Sequence, residues 1–165
     1  MYILRQWPFS DAASFVEVAD ESVAIRAFQI AVWVSVTVRE VLEEDAPRFP
    51  AILDTGHNHN FSIQERQVIE WARVRPNSLA RLGEVRVNRQ EVPLLAAFLW
   101  IHRNRSGRSE LLPQPYRMAL PQGIAMYPEG MPGAPRLPLL GLRGLVSNKL
   151  RLTIDGANRL VSLRS

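Results

Sequence analysis

The clearest pattern in this chain is a strict alternation of apolar and other residues between positions 28 and 38. Its apolar members are Phe28, Ile30, Val32, Val34, Val36 and Val38. Alternate side chains of a strand face the same side of a sheet, so this period of two predicts a half-buried β-strand. A polar turn at residues 43–47 and a second apolar strand at residues 49–53 follow it.

Two further elements are predicted after the second strand. A short helix is expected over residues 62–71, where Ser62 and Glu65 have the spacing of a capping box. A hairpin is expected from strands at 84–87 and 92–101. The turn of this hairpin comprises Asn88, Arg89, Gln90 and Glu91.

The second half of the chain is rich in proline before it returns to strand patterns. Residues 113–138 predict a long irregular loop with one short strand near 116–120. A terminal hairpin is predicted from residues 150–154 and 160–163. Together these patterns predict an all-β fold with one short helix.

The first residues have no clear period. We interpret residues 1–24 as an N-terminal extension with one strand at Ser14–Val18, and residues 25–165 as the domain proper. Residues 1–24 carry scattered charges and lack the apolar core of a signal peptide. No uncharged apolar stretch is long enough to predict a membrane-spanning helix, so no membrane partner is expected.

The composition excludes several kinds of site and partner. The chain has no cysteine, which excludes disulfides and cysteine nucleophiles and is typical of a reducing compartment, so a cytoplasmic location is expected. The net charge of +4 comes largely from arginines that are scattered singly along the chain. They do not cluster with aromatic residues as a nucleic-acid surface would, so no nucleic-acid partner is expected.

The most informative motif is Asp54-Thr55-Gly56, which directly follows the apolar residues 49–53 and occurs once. Asp and Gly both favour turns, so a simple turn after a strand is one interpretation. Far downstream, Leu139-Leu140-Gly141 forms a second apolar segment that ends in glycine.

The order of these segments resembles that of the retropepsin-like aspartic proteases over about residues 28–163. In that family an early Asp-Thr-Gly is followed by a flap hairpin and then by an apolar-apolar-Gly segment beneath the catalytic loop. The resemblance implies a closed β-barrel domain that acts as a homodimer, because one chain supplies only one catalytic aspartate. It implies a peptide or protein substrate, and no cofactor beyond the attacking water.

The resemblance also assigns roles to residues. Asp54 and its counterpart in the second copy are expected to share one proton, since two adjacent carboxylates cannot both ionise cheaply. Thr55 is expected to support the loop, and Gly56 and Gly141 to permit close backbone approach. His57 and the flap tip, comprising Asn88, Arg89, Gln90 and Glu91, are the expected substrate contacts.

Two other functions stay open at this point. The same fold without catalysis would be a peptide-binding or protein-binding module. Alternatively, His57 and His59 in a His-x-His arrangement could bind a metal together with Asp54, giving a metal-dependent hydrolase. The third histidine, His102, precedes a polar turn and is expected to be solvated.

Overall fold

The computed structural model describes residues 1–165, which form strands joined by turns and two short helices. Strands hold 44% of the residues and helices 9%, which confirms the all-β class. The strands are β1 (Tyr2–Pro8), β2 (Ser14–Val18), β3 (Glu21–Ile25), β4 (Ala31–Thr37), β5 (Phe49–Asp54), β6 (Phe61–Gln64), β7 (Arg81–Val87), β8 (Gln90–Leu95), β9 (Phe98–Ile101), β10 (Tyr116–Met118), β11 (Ile124–Tyr127), β12 (Leu139–Gly141), β13 (Arg151–Asp155) and β14 (Leu160–Arg164). The helices are α1 (Glu65–Glu70) and α2 (Leu142–Ser147), and a 3-10 turn covers Pro76–Ser78. The prediction of a single helix is therefore wrong.

Nine of the strands form one sheet in the order β10-β9-β4-β5-β12-β6-β11-β8-β7. Closing a barrel requires the two outer strands to pair. Here β10 and β7 stay as free edges, so the closed barrel is not found. Strand β7 exposes Arg81, Glu84 and Arg86, and charged side chains of this kind protect a free edge from pairing.

The centre of this sheet is formed by β4, β5 and β12. Strand β4 pairs antiparallel with β5, and β12 pairs parallel with β5 on its other side. Residues 49–53 are all buried, as expected for a strand covered on both faces, and Asp54 is the first residue of β5 to become partly exposed. The Asp54 carboxylate therefore lies at the point where β5 leaves the core.

The predicted alternation of burial holds over the first half of β4 and fails in the second half, where Ser35 and Thr37 are also buried. Val32, Val34 and Val36 are buried as predicted. The strand begins at Ala31, and Phe28 instead lies in a preceding turn with a φ of 63°. Phe28 therefore lies outside the strand, and the apolar series extends beyond the element that it predicts.

The helix predicted over residues 62–71 is shorter than expected. Ser62 belongs to β6, which pairs parallel with β11 and antiparallel with β12. Helix α1 begins only at Glu65, after the Gln64 amide N–H donates to the Gln67 side chain at 3.1 Å. The predicted Ser62 cap is therefore wrong, because two neighbouring strands hold that residue in the sheet.

The hairpin of β7 and β8 has a tighter turn than predicted. Val87 pairs with Gln90, which leaves only Asn88 and Arg89 in the turn. Both have positive φ, 50° and 67°, as in a type I′ turn. Gln90 and Glu91 are strand residues of β8, so their assignment to the turn is wrong.

The proline-rich loop at residues 113–138 contains two strands. Strand β10 agrees with the short strand predicted near residues 116–120. The second strand, β11, is fully buried and pairs with β6 and β8. Its four residues have no alternation because both of its faces are covered, and it was therefore not predicted.

The two ends of the chain meet in a three-stranded sheet. The predicted terminal hairpin is confirmed as β13 and β14, and β14 also pairs with β1. Ile3, Leu4 and Trp7 of β1 are buried in the main core, and the Trp7 indole donates to the Ala31 carbonyl oxygen at 2.8 Å. Residues 1–24 thus share the hydrophobic core of residues 25–165. Neither helix has the length and apolar character needed to cross a bilayer.

Candidate active site

The site is centred on Asp54 at the end of β5. The Leu53 amide N–H donates to the Ile30 carbonyl oxygen at 2.9 Å, which continues the β4–β5 pairing up to the motif. One carboxylate oxygen of Asp54 accepts the Gly56 amide N–H at 2.9 Å. The Asp54 carbonyl oxygen accepts the His57 amide N–H at 3.1 Å. These bonds fix the carboxylate in a tight turn with one oxygen held by the loop itself.

Thr55 and Gly56 lie at the exposed tip of this turn. A Cβ at Gly56 would lie 3.3 Å from the Asp54 carboxylate oxygen, close enough to crowd the group that it supports. The Thr55 hydroxyl is solvent-exposed and forms no hydrogen bond within the chain. Its hydrogen-bonding capacity is therefore available to another molecule.

Strand β12 lies directly against the motif and the loop that follows. Gly141 is paired with Asp54, and its amide N–H donates to the Asn60 carbonyl oxygen at 3.0 Å. A Cβ at Gly141 would lie 1.9 Å from the His59 carbonyl oxygen, which no side chain can occupy. Leu139 and Leu140 pair with Ile52 and Leu53, and Gly141 contacts the backbone of residues 54–60.

Two histidines follow the motif with their rings 5.2 Å apart. The His57 Nε2 atom lies 2.6 Å from the Ser62 hydroxyl. Burial lowers the pKa of His57, His59 lowers it further, and Asp54 opposes the shift. Burial and Arg143 lower the pKa of His59. Both rings are therefore neutral at neutral pH, and neither adds a positive charge beside Asp54 there.

The metal-hydrolase alternative requires Asp54, His57 and His59 to converge on one ion. No group of three or more His, Cys, Asp or Glu residues is arranged to hold a metal ion. Ser62 already engages one ring nitrogen of His57. The proposed set of Asp54, His57 and His59 therefore lacks the convergence that a metal site needs.

The predicted flap residues lie away from Asp54 in the sheet. Three strands, β12, β6 and β11, separate β5 from the hairpin of β7 and β8. A small apolar cluster, comprising Val92, Ala125, Tyr127 and Met131, packs the hairpin against its neighbours. Asn88 at the tip approaches Gly133 of the proline-rich loop. Within one copy, Asn88, Arg89, Gln90 and Glu91 are not brought together with the motif.

Two residues that shape the loop had no signal in the sequence. The Arg143 guanidinium donates to the Asn58 carbonyl oxygen at 3.0 Å and to the Gln122 side chain at 2.7 Å. Ser62 is fully buried beneath His57. Arg143 is one of many scattered arginines, and Ser62 was assigned to a helix cap, so neither stood out.

The prediction that His102 is solvated is wrong, since the residue is only 3% exposed. Ser35 donates its hydroxyl proton to the Pro47 carbonyl oxygen at 2.7 Å, so its oxygen accepts from His102 Nε2 at 2.9 Å. The His102 Nδ1 atom is then a buried acceptor without a partner. Burial, with Arg48 nearby, lowers the pKa of His102 to about 4.

The principal cavities lie away from the motif. One of about 440 Å³ is lined by Trp7, Phe9 and Trp33, and one of about 510 Å³ by Arg48 and His102. Asp54, which is partly exposed, lines neither. Comparisons with protein-family models, with curated proteins and with solved structures find no match to this chain. The geometry of the site itself therefore carries the functional proposal.

Proposed function

We propose that this protein is an aspartic endopeptidase of the retropepsin-like type, active as a homodimer on peptide or protein substrates. One observation carries the proposal. The Asp54-Thr55-Gly56 turn leaves a buried strand. Leu139-Leu140-Gly141 pairs with that strand up to Asp54, and Gly141 closely approaches the backbone of the loop that follows, as the family resemblance requires. The absence of cysteine supports a cytoplasmic location.

The proposed chemistry uses Asp54 from each of two copies and one water molecule. The two carboxyl groups hold a single proton between them. The ionised carboxylate removes a proton from the water as its oxygen attacks the scissile carbonyl carbon. The protonated carboxyl donates its proton to the carbonyl oxygen. When the tetrahedral intermediate collapses, the C–N bond breaks and the carboxyl that took the water proton donates it to the amide nitrogen. A hydroxyl of the intermediate gives its proton to the other Asp54 as the new carboxyl group forms, so the dyad again holds one proton.

Several features of the single chain support the proposal that activity requires a homodimer. The chain contains Asp-Thr-Gly only once, and the Thr55 hydroxyl is exposed without an intrachain partner. Helix α2, which starts directly after Gly141, exposes the apolar side chains of Leu142 and Val146, 42% and 67% respectively. A second copy docked at this face would bury them and bring the two carboxylates together.

The hairpin of β7 and β8 is the proposed cover of the substrate. Its tip residues, Asn88 and Arg89, would reach a substrate bound between two copies, with Gln90 and Glu91 behind them. His57, held by Ser62, is proposed to line the cleft next to Asp54. In this proposal the flap acts across the dimer, because three strands separate it from Asp54 in its own copy.

The test is a pair of peptide-library digests, wild type against Asp54→Asn, scanned from acidic to neutral pH. Asp155→Asn is the matched control, since Asp155 is the exposed last residue of β13 and bonds to Asn158. Cleavage that survives Asp155→Asn, disappears in Asp54→Asn and is blocked by a statine-type inhibitor supports the proposal. Specific activity should also fall on dilution, because a lone copy has half a site.

Other outcomes are equally informative. Cleavage of the same peptides by wild type and by Asp54→Asn excludes the aspartic mechanism. If wild type and Asp54→Asn bind the same peptides and neither cleaves them, the fold serves a binding module. Activity that is lost with a chelator and in His59→Ala, and that resists a statine-type inhibitor, would restore the metal alternative.

A further inference from the structure

The cavity of about 440 Å³ lined by Trp7, Phe9 and Trp33 contains no residue of the Asp54-Thr55-Gly56 turn. Its lining is mostly apolar, and Arg26 is the only charged residue in it. We propose that this cavity is a binding site for a small aromatic carboxylate, whose ring lies against the tryptophans and whose carboxylate pairs with Arg26. This site goes beyond the proposed function and does not rest on it.

One wall of the cavity follows from the alternation of β4. Val34 is buried in the core, so its neighbour Trp33 faces the opposite side of the strand. Trp33 is paired with Pro50 of β5, and both residues line the cavity. The Trp7 indole donates to the Ala31 carbonyl oxygen at 2.8 Å, which holds a second aromatic ring at the same cavity. Two indole rings from different strands therefore line it.

A second wall comes from the end of β3 and the loop after β1. Ile25 is the last residue of β3 and lines the cavity, and Arg26 follows it directly. The Arg26 amide N–H donates to the Gln29 side chain at 2.8 Å. The Phe28 amide N–H donates to the Ser10 carbonyl oxygen at 2.8 Å. These bonds fix the backbone that carries Arg26 at the cavity.

Arg26 has no anionic partner within the chain. It takes part in none of the ion pairs of the structure. Asp11, in the loop that lines the cavity, pairs instead with Arg159 at 3.4 Å. Burial lowers the pKa of Arg136, and the nearby positive charge of Arg26 lowers it further. A bound carboxylate would separate these two repelling cations, and a guanidinium group binds a carboxylate through two parallel N–H···O bonds.

The size and polarity of the cavity define the class of ligand. Sites for small molecules typically have volumes of about 300–1,000 Å³ and a mostly apolar lining with a few polar groups, as this cavity does. The apolar lining favours an apolar body, and aromatic rings pack well against indole rings. Because the lining has one guanidinium and no carboxylate, it favours an anionic ligand over a cationic one.

The test is calorimetric titration with naphthoate and naphthamide, which share a ring system and differ in charge. We expect the wild type to bind naphthoate about tenfold more tightly than naphthamide, in the range of one charge-assisted pair. Arg26→Gln should remove this difference and leave the affinity for naphthamide unchanged. Arg86→Gln is the matched control, since Arg86 is exposed on β7 and does not line the cavity, and it should keep the full difference. Trp33→Leu should weaken both compounds, because it removes an aromatic face without changing the charge.

The position of the ligand is measured through the indole N–H signals of the four tryptophans in nitrogen–proton correlation spectra. Naphthoate should shift the signals of Trp7 and Trp33. The signals of Trp71 and Trp100, which do not line this cavity, should stay in place. Shifts confined to Trp71 or Trp100 would place the ligand elsewhere and overturn the inference.

The titrations can overturn it as well. Equal affinities of the wild type for naphthoate and naphthamide, or a difference that persists in Arg26→Gln, would show that Arg26 does not recognise the carboxylate. If the wild type binds neither compound, the cavity is not such a site. Asp54→Asn should bind naphthoate as the wild type does, so this inference and the proposed peptidase function fail independently.

Discussion

At the scale of single residues, Gly141 is the position where the site tolerates least change. A Cβ there would overlap the His59 carbonyl oxygen at 1.9 Å and approach the His57 carbonyl oxygen at 2.7 Å. Both obstacles are backbone atoms and cannot rotate away. We predict that Gly141→Ala lowers the free energy of unfolding by about 3 kcal/mol or more and abolishes the proposed peptidase activity.

Gly156→Ala is the control for this prediction. Gly156 lies in an exposed turn, a Cβ there meets nothing within 4 Å, and its φ is not in the positive range. Its substitution should change stability by less than about 0.5 kcal/mol. Thermal unfolding of both variants checks the pair, and equal Tm values would contradict the close approach of β12 to the loop.

His102 should make the stability of the protein depend on pH. Its pKa falls from 6.5 to about 4 on folding, so between these values the unfolded chain binds a proton that the folded chain does not. Stability from this group is complete above pH 6.5 and declines as the pH falls toward 4. The expected loss is on the order of 2–3 kcal/mol, measured by urea unfolding across this range.

His102→Gln isolates that contribution. A glutamine amide can donate to Ser35 as the ring does, yet it does not titrate. The variant should have a shallower decline of stability with falling pH, leaving the smaller contributions of His57 and His59. An unchanged slope would mean that His102 is protonated in the folded protein.

The residues that were predictable are those whose roles depend on local sequence. Asp54 and Gly141 are placed by short motifs at the ends of apolar strands, so the sequence indicates both. Phe28 and His102 were misplaced for the opposite reason. Phe28 continues an apolar alternation yet takes a turn conformation held by Ser10, and His102 is buried by contacts with Ser35 and Pro47. Such contacts join distant residues, and no local pattern reports them.

At the scale of elements, the β7–β8 hairpin carries an unfavourable residue in its turn. A type I′ turn prefers Asn-Gly, and here Arg89 takes the glycine position with a φ of 67°. We predict that Arg89→Gly raises the free energy of unfolding by about 1 kcal/mol, because it removes the cost of a left-handed conformation. The Tm from calorimetry measures the effect.

Arg86→Gly is the contrasting variant for the hairpin. Arg86 is exposed in the middle of β7 and pairs with Glu91. Glycine in a strand interior costs about 0.5–1 kcal/mol, so this variant should lose stability. A loss in both variants would show that the Arg89 side chain itself stabilises the tip.

Elements with a one-sided pattern or turn signals were predictable, and those fixed by burial on all sides were not. Strand β14 and the first half of β4 have one buried face, and their alternation indicates them. Strand β11 is buried throughout and short, so its sequence has no period. Helix α2 contains Gly144, a poor helix former, whose small size lets the helix pack against the Asn60 carbonyl oxygen.

At the scale of the whole molecule, residues 1–24 are part of the folded core. Strand β1 pairs along β14 and buries Ile3, Leu4 and Trp7. Loss of three buried side chains of this size costs about 2–5 kcal/mol each, comparable in sum to the stability of a whole domain. We predict that a variant lacking residues 1–24 does not fold cooperatively, as circular dichroism during heating would reveal.

Two point variants in β1 test whether the loss of buried side chains explains the effect of the truncation. Leu4→Ala should lose about 2–4 kcal/mol. Tyr2→Ala, at an exposed position of the same strand, should lose far less. If the truncated chain instead folds and cleaves peptides faster than the full chain, residues 1–24 are a removable pro-segment.

At this scale the all-β class was predictable from strand patterns, whereas closure of the sheet was not, because it depends on which edges meet.

The pairing of β1 with β14 has a consequence for the connectivity of the chain. The Ser165 amide N–H lies 3.0 Å from the Met1 carbonyl oxygen, so the two termini are neighbours. A short linker would join them without moving a strand, and the chain could be reopened in the exposed turn at Gly156. Such a circular permutant would keep β5 and β12 in place. The fold can therefore accept new chain ends, and domains fused to them, in the turn at Gly156.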